Sequence, residues 1–253
     1  MNEVTGFENE HKFSCYLNGC KIKSLTPLFK DFIYALYGKN LNENSRIKCK
    51  VDYDKKKYDL IININDCIKK ISIKKGINNS VHVEGISSFI HFLIDSGISK
   101  ENIIEYLKYH YADGTTNGTG ANRISGYEYK INNQDKIDKI NIALNNEYII
   151  KRAINRFILQ GKNSNECIDA IIYGTVDDFL FITKEEIEEI IISKKDIYST
   201  GIHFANLYCQ PMTRNLNYNP KYDKKRFCVQ IKWYSIFDDI IEYMNNKVIN
   251  KKM

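Results

Sequence analysis

Residues 58–75 read YDLIININDCIKKISIKK, two runs of alternating character joined by Asn65-Asp66. Side chains alternate between the two faces of a strand, and Asn-Asp between two such runs is a natural hairpin turn. A two-residue loop makes Ile64 face Cys67 and, counting outward, Asp59 face Ser72. Leu60, Ile62 and Ile64 then share one face with Ile71 and Ile73, which is the buried face. Asp59, Ser72 and Lys74 share the other, so the register brings an acid, a hydroxyl and an ammonium to one small patch.

Upstream, Pro27–Tyr37 reads as a helix with Thr26 as N-cap, Pro27 at the first helical position and Gly38 as the stop. Its stripe of Leu28, Phe29, Phe32, Ile33 and Leu36 packs on a core. A strand follows over Arg46–Asp54, then the lysine run Lys55–Lys57. Downstream, Ile86, Phe89, Ile90, Leu93 and Ile94 mark a helix ending near Gly97, and Ser99 caps another. Asp113–Gly120 (DGTTNGTG) reads as a flexible loop; it lacks the Gly-Lys-Ser/Thr ending of a phosphate-binding P-loop. Helices are expected over Gln134–Leu144 and Glu147–Gln160, and short strands over Ile168–Tyr173 and Phe179–Ile182. Thr183 and Glu186 form a capping box that opens a helix. Strands at Gly201–Tyr208 and Arg226–Trp233 and a helix from Ile236 complete the chain. Nothing repeats and no linker-like tract divides it, so residues 1–253 read as a single α/β or α+β domain around a mixed sheet.

With 43% apolar and 27% charged residues in 253, wholesale disorder is excluded. A net charge of +6 suits a nucleic-acid binder and equally many enzymes without one. The seven cysteines are scattered singly, with no C-x-x-C and no zinc-finger spacing, which reads as reduced thiols in a cytoplasm. The N-terminus lacks a secretory layout and no apolar run approaches ~18 residues, so no membrane partner and a cytoplasmic location are expected.

An acid, a hydroxyl and an ammonium in one patch suit phosphodiester hydrolysis: a carboxylate holds a divalent metal, and lysine stabilises or positions the attacking species. Magnesium usually takes one or two protein carboxylates, so a second is expected nearby. Glu84, about ten residues after Lys74 and at the start of the next helix, is the candidate. The competing reading of the patch is a solvated hairpin face. Glu8 and Glu10 are further acids that could join the metal, weighed against simple exposure. For DNA contact the candidates are Lys75, Asn79, His82, Arg123, Arg214, Asn215, Arg226 and Lys232. Lysine and arginine neutralise phosphates, and Arg and Asn read base edges. His82 is also placed to orient Glu84. Trp233 reads as core, and the acidic run Glu185, Glu186, Glu188 and Glu189 as a solvated helix face.

Asp59 followed by Ser72-Ile73-Lys74 resembles the core motif of the PD-(D/E)XK nuclease superfamily, with serine in place of the usual acid before x-Lys. Some type II restriction endonucleases share this departure and carry the glutamate on the following helix. The resemblance implies a restriction-endonuclease-like α/β core, a central mixed β-sheet flanked by helices. It implies Mg2+ held by Asp59 and Glu84, with Lys74 at the nucleophile and Ser72 in support. It also implies double-stranded DNA as substrate, a homodimer if the target is palindromic, and a cognate DNA methyltransferase encoded nearby. The runs ISIKKGINNSVHVE, DGTTNGTG and QPMTRNLNYNP…KRFCVQIKW are similar to a group of largely uncharacterised bacterial proteins. A nonspecific, defence or repair nuclease and a catalytically dead DNA-binding module are the alternatives. Serine is what a dead nuclease would carry, and the retained lysine argues against decay.

Overall fold

A computed structural model describes residues 6–54, 56–76, 79–120, 123–161, 165–212 and 220–250. The strands are β1 (Lys48–Val51), β2 (Leu60–Ile64), β3 (Cys67–Lys74), β4 (Ser80–Gly85), β5 (Ala170–Gly174), β6 (Phe179–Thr183), β7 (His203–Phe204), β8 (Leu207–Pro211) and β9 (Cys228–Lys232). The helices are α1 (Gly6–Leu17), α2 (Pro27–Tyr37), α3 (Ile86–Asp95), α4 (Lys100–Tyr111), α5 (Gly126–Leu144), α6 (Glu147–Ala153), α7 (Lys184–Ser193) and α8 (Ile236–Asn250). Two compact units result: Met1–Asn79, Ile158–Ile190 and Ile236–Met253 make the first, and Ser80–Phe157 with Ile191–Ser235 the second.

The first unit is built around the expected hairpin. Asn65 and Asp66 both take positive φ (50° and 63°), the left-handed pair that lets a two-residue turn follow the twist of its strands. The register runs from Ile64 opposite Cys67 to Leu60 opposite Ile71. Leu60, Ile62, Ile64, Ile71 and Ile73 are all buried, as the alternation requires. β1 adds antiparallel to β2, β5 lies parallel to β3, and β6 closes the order β1-β2-β3-β5-β6. This mixed sheet carries α1 and α2 through Phe13, Leu17, Phe29, Phe32 and Ile33 in one apolar cluster. Each such side chain withdrawn from water contributes roughly 1.5–3 kcal/mol. Gly38 stops α2 at φ 87°, although the Thr26 side chain makes no cap bond there. The outer edge of β1 is not open: Asn18 Oδ1 accepts the Cys49 amide at 3.0 Å and Ser14 Oγ donates to its carbonyl at 3.2 Å. The capping box at α7 is formed, with the Thr183 amide donating to Glu186 Oε2 at 2.8 Å.

The second unit has an antiparallel sheet in the order β4-β9-β8-β7. It corrects two expectations. Ser80–Gly85 (SVHVEG) is a strand, so Glu84 stands in β4, ahead of the helix that opens at Ile86. The β-branched Val81 and Val83 alternate with polar residues there, a strand period rather than a helix period. The expected strand Gly201–Tyr208 is a tight hairpin of β7 and β8, turned at Ala205 with φ 47°. Phe89, Phe92, Phe157 and Phe204 pack edge to face and tilted in its core, and Trp233 is fully buried as expected. Asp113–Gly120 lacks regular structure but is tightly bonded. Asp113 Oδ1 accepts the Thr115 amide and hydroxyl at 2.9 and 2.7 Å, and Oδ2 accepts the Gly120 amide at 3.1 Å. A Cβ on Gly120 would lie 2.2 Å from the Asp113 carbonyl oxygen, so glycine is required there.

Candidate active site

Asp59 stands just before β2, where its amide donates to the Ile71 carbonyl at 2.8 Å. The paired register ends at Leu60 opposite Ile71, so this bond sets Asp59 and Leu60 together against Ile71, a bulge from which the Asp59 side chain reaches Ser72 and Ile73. Its Oδ2 accepts the Ile73 amide at 2.6 Å and the Ser72 hydroxyl at 3.1 Å. Lys74 Nζ donates to Ser72 Oγ at 2.7 Å and to the Ile73 carbonyl at 3.0 Å, and lies 3.6 Å from Asp59 Oδ2. Lysine, serine and aspartate thus form one hydrogen-bonded line, and Oδ1 of Asp59 takes part in none of these contacts. Ser72 is almost fully buried, whereas about a quarter of the Asp59 and Lys74 side chains is exposed. Tyr173, beside Lys74 on β5, donates its hydroxyl to the Gly76 carbonyl at 2.6 Å and pins the chain leaving β3.

Two residues outside the hairpin act on this patch. Glu10 of α1 has its carboxyl pushed above the ordinary value by burial and by the charge of Asp59, with Lys74 partly offsetting both. Its neighbour Asn9 is fully buried and donates to the Gly174 carbonyl at 2.9 Å, which ties this turn of α1 to the end of β5. Burial and the like charge of Lys74 push the Lys57 ammonium down to about 7, with Asp59 opposing. In the sequence Glu10 stands out only as one of three acids in the first ten residues, and Lys57 only as part of a lysine run. The sole sequence signal for either is charge, since no local pattern ties α1 to the hairpin.

Glu84, in the second unit, is otherwise engaged. Arg156 takes both its oxygens, Nη2 to Oε2 at 2.7 Å and Nε to Oε1 at 3.3 Å, and His82 Nε2 lies 3.5 Å from Oε2. Burial raises the Glu84 carboxyl, but His82 and Arg156 outweigh it and hold the group below its usual value. Its buried charge is therefore compensated within its own unit. Arg123 and Arg226, expected as DNA contacts, are both engaged by groups of the second unit. Arg123 is buried and donates to the carbonyls of Tyr111 at 2.8 Å, His110 at 2.9 Å and Met212 at 3.4 Å. Arg226 grips Asp113 Oδ2 and the Gly120 carbonyl at 2.6 Å, locking the loop. Asn79 is buried, Lys75 half-buried, and Lys232 lies 5.2 Å over the Tyr234 ring. Arg214 and Asn215 lie outside the described residues.

Among the described residues, no three or more His, Cys, Asp or Glu side chains form a metal cage, and no helix is long and apolar enough to cross a membrane. The charge of Asp59 acts on Glu10, and carboxylates are the ligands that a hard divalent cation takes alongside water.

No known protein family and no curated protein matches this chain by sequence. A solved structure does match in shape: the restriction endonuclease MspI in complex with its cognate DNA, at a TM-score of 0.54 and 15% identity, over 92% of this chain and 93% of that one. The chain therefore shares the fold of a restriction endonuclease, a mixed β-sheet flanked by helices, at a sequence distance where shape alone carries the likeness.

Proposed function

We propose that this protein is a divalent-metal-dependent endonuclease of the type II restriction kind, hydrolysing phosphodiester bonds of double-stranded DNA. The observation that carries the reading is the line Lys74 Nζ–Ser72 Oγ–Asp59 Oδ2, held at the junction of the hairpin and the parallel strand β5. A lysine spent on a buried serine and an aspartate at a strand end has no packing role to explain it. Its exposed fraction leaves the ammonium able to turn to a phosphate.

Asp59 and Glu10 are the residues that would hold Mg2+, which when bound polarises the phosphate and lowers the pKa of a coordinated water. Lys74 balances the charge that grows on the phosphate oxygens and orients the nucleophile. Ser72 fixes the Lys74 ammonium through its hydroxyl and so takes over the positioning task of the missing acid. Glu84 remains the alternative second carboxylate, but it would first have to give up both hydrogen bonds to Arg156.

Plasmid incubated with purified protein and Mg2+ tests this. Discrete bands are expected, and Lys74→Ala should abolish them while leaving the protein folded. Loss of cutting in Glu10→Gln with activity retained in Glu84→Gln assigns the second acid to α1; the reverse assigns it to β4. A smear makes the enzyme nonspecific. Because serine stands where an acid is usual, a catalytically dead DNA-binding module is the second reading. Chelator-insensitive DNA retention without any cutting would establish it and overturn the first.

A further inference from the structure

A cavity of 760 Å3 opens on the first unit's sheet, lined by Lys48, Lys50, Ile61, Asn63, Ile68 and Lys70 among others. Strand alternation puts these residues on the same face of the hairpin as Asp59, Ser72 and Lys74. Lys50 is opposite Ile61 and Lys48 opposite Asn63, two and four residues along from Asp59. At ~3.3 Å per residue the rows lie about 7 and about 13 Å from the catalytic row.

The charges in this trough are unbalanced. Its two acids are already occupied: Glu166 by Lys70 at 2.8 Å and the Tyr58 hydroxyl at 2.9 Å, and Asp169 by Lys69 at 2.9 Å. Lys48 and Lys50 are exposed, and no acid of the described residues comes within 4.0 Å of either ammonium. We propose that this trough is a track for the sugar-phosphate backbone of the substrate on one side of the cut, with Lys48 and Lys50 as phosphate contacts.

The proposal rests on the nuclease reading and adds to it a surface and two residues. A duplex strand carries a phosphate every ~3.4 Å of helix axis, so about four fall within the span from Asp59 to Lys48. The half-exposed Ile68 and the Ile61 side chain give the sugars an apolar floor. A second copy of the chain fits less well. Two-fold pairing would set Lys48 and Lys50 near their own equivalents, and the β1 edge that could extend the sheet is covered by Asn18 and Ser14.

The test is anisotropy of a fluorescein-labelled duplex titrated with Lys74→Ala protein in Mg2+, across a range of salt, with wild-type plasmid cleavage run in parallel. Adding Lys48→Ala and Lys50→Ala should weaken binding to all sequences alike. It should also lower the slope of log affinity against log salt by about 1.8, close to 0.9 for each phosphate no longer neutralised. Lys48→Arg with Lys50→Arg should restore the slope. An unchanged slope in the alanine pair, while wild type still cuts, overturns the track and leaves the nuclease reading standing. An unchanged slope with altered sedimentation makes the trough a self-association face and equally overturns it. If wild type does not cut and no protein binds the duplex, the nuclease reading itself falls, and the track with it.

Discussion

At the scale of single residues, the hairpin register made Asp59, Ser72 and Lys74 legible, because period-2 alternation and a two-residue turn leave one pairing that buries Leu60, Ile62 and Ile64. Glu10 was not legible in the same way, since its approach to Asp59 depends on how α1 packs against the sheet. Its carboxyl is raised by burial and by Asp59, so between its ordinary and its raised value the native state binds more protons than the unfolded chain. Metal-free stability attributable to this group is therefore lost as pH rises through that window. Glu10→Gln should leave the metal-free protein at least as stable at neutral pH. The gain should stay under ~1 kcal/mol, because the side chain is half-exposed and solvent-screened. The same change should cost at least about tenfold in Mg2+ affinity, since even outer-shell partners of a metal are worth that much. It should also remove the fall in affinity expected of wild type as Glu10 protonates at acid pH. Thermal melts across pH, with and without Mg2+, read both effects. An unaltered Mg2+ shift in Glu10→Gln would return the second-ligand role to Glu84.

At the scale of elements, caps and turns were the most readable features: Gly38 after α2, Ser99 before α4, the Thr183–Glu186 box at α7. Each works through a bond within four residues, and local bonds are what a local reading can find. The Asp113–Gly120 loop reads as flexible from its composition for the complementary reason. Its order comes from Arg226, more than a hundred positions away, meeting a carboxylate whose other partners are local. Burial raises the Asp113 carboxyl, but the Thr115 bonds and Arg226 outweigh it and hold it below its usual range. Asp113→Ala would strip the Thr115 and Gly120 amides of their acceptor and leave the Arg226 charge without its carboxylate, with only the Gly120 carbonyl remaining. We expect a loss of about 3 kcal/mol in unfolding free energy by urea titration. Asp113→Asn should rescue little, because its amide would set a donor against the donors of Arg226 and Gly120. A loss under ~1 kcal/mol in the alanine variant would mean the loop is held by something other than this carboxylate.

At the scale of the whole molecule, the mixed sheet was readable but the division of the chain was not. The chain passes between its two compact units after Asn79, Phe157, Ile190 and Ser235. The second of these crossings lies inside the π-helical stretch Ile154–Gln160 and the third inside α7, where composition has no reason to change. Linker composition marks only crossings made in loops, so the sequence offered no tract to find. On the proposed reading, the same scale poses the question of how one chain with one Asp59–Lys74 centre would cut both strands of a duplex. A palindromic target presents two equivalent phosphates, and a two-fold dimer meets both in one encounter. A monomer must cut, release and rebind. The homodimer expectation therefore predicts that supercoiled plasmid converts directly to linear product, with nicked circles never accumulating, and that protein bound to a palindromic duplex has twice the chain mass by light scattering. Nicked circles that build up before linear product appears, with one chain per duplex, would show that the centre works alone and in sequence. The dimer would then fall while the assignment of Asp59 and Lys74 stood.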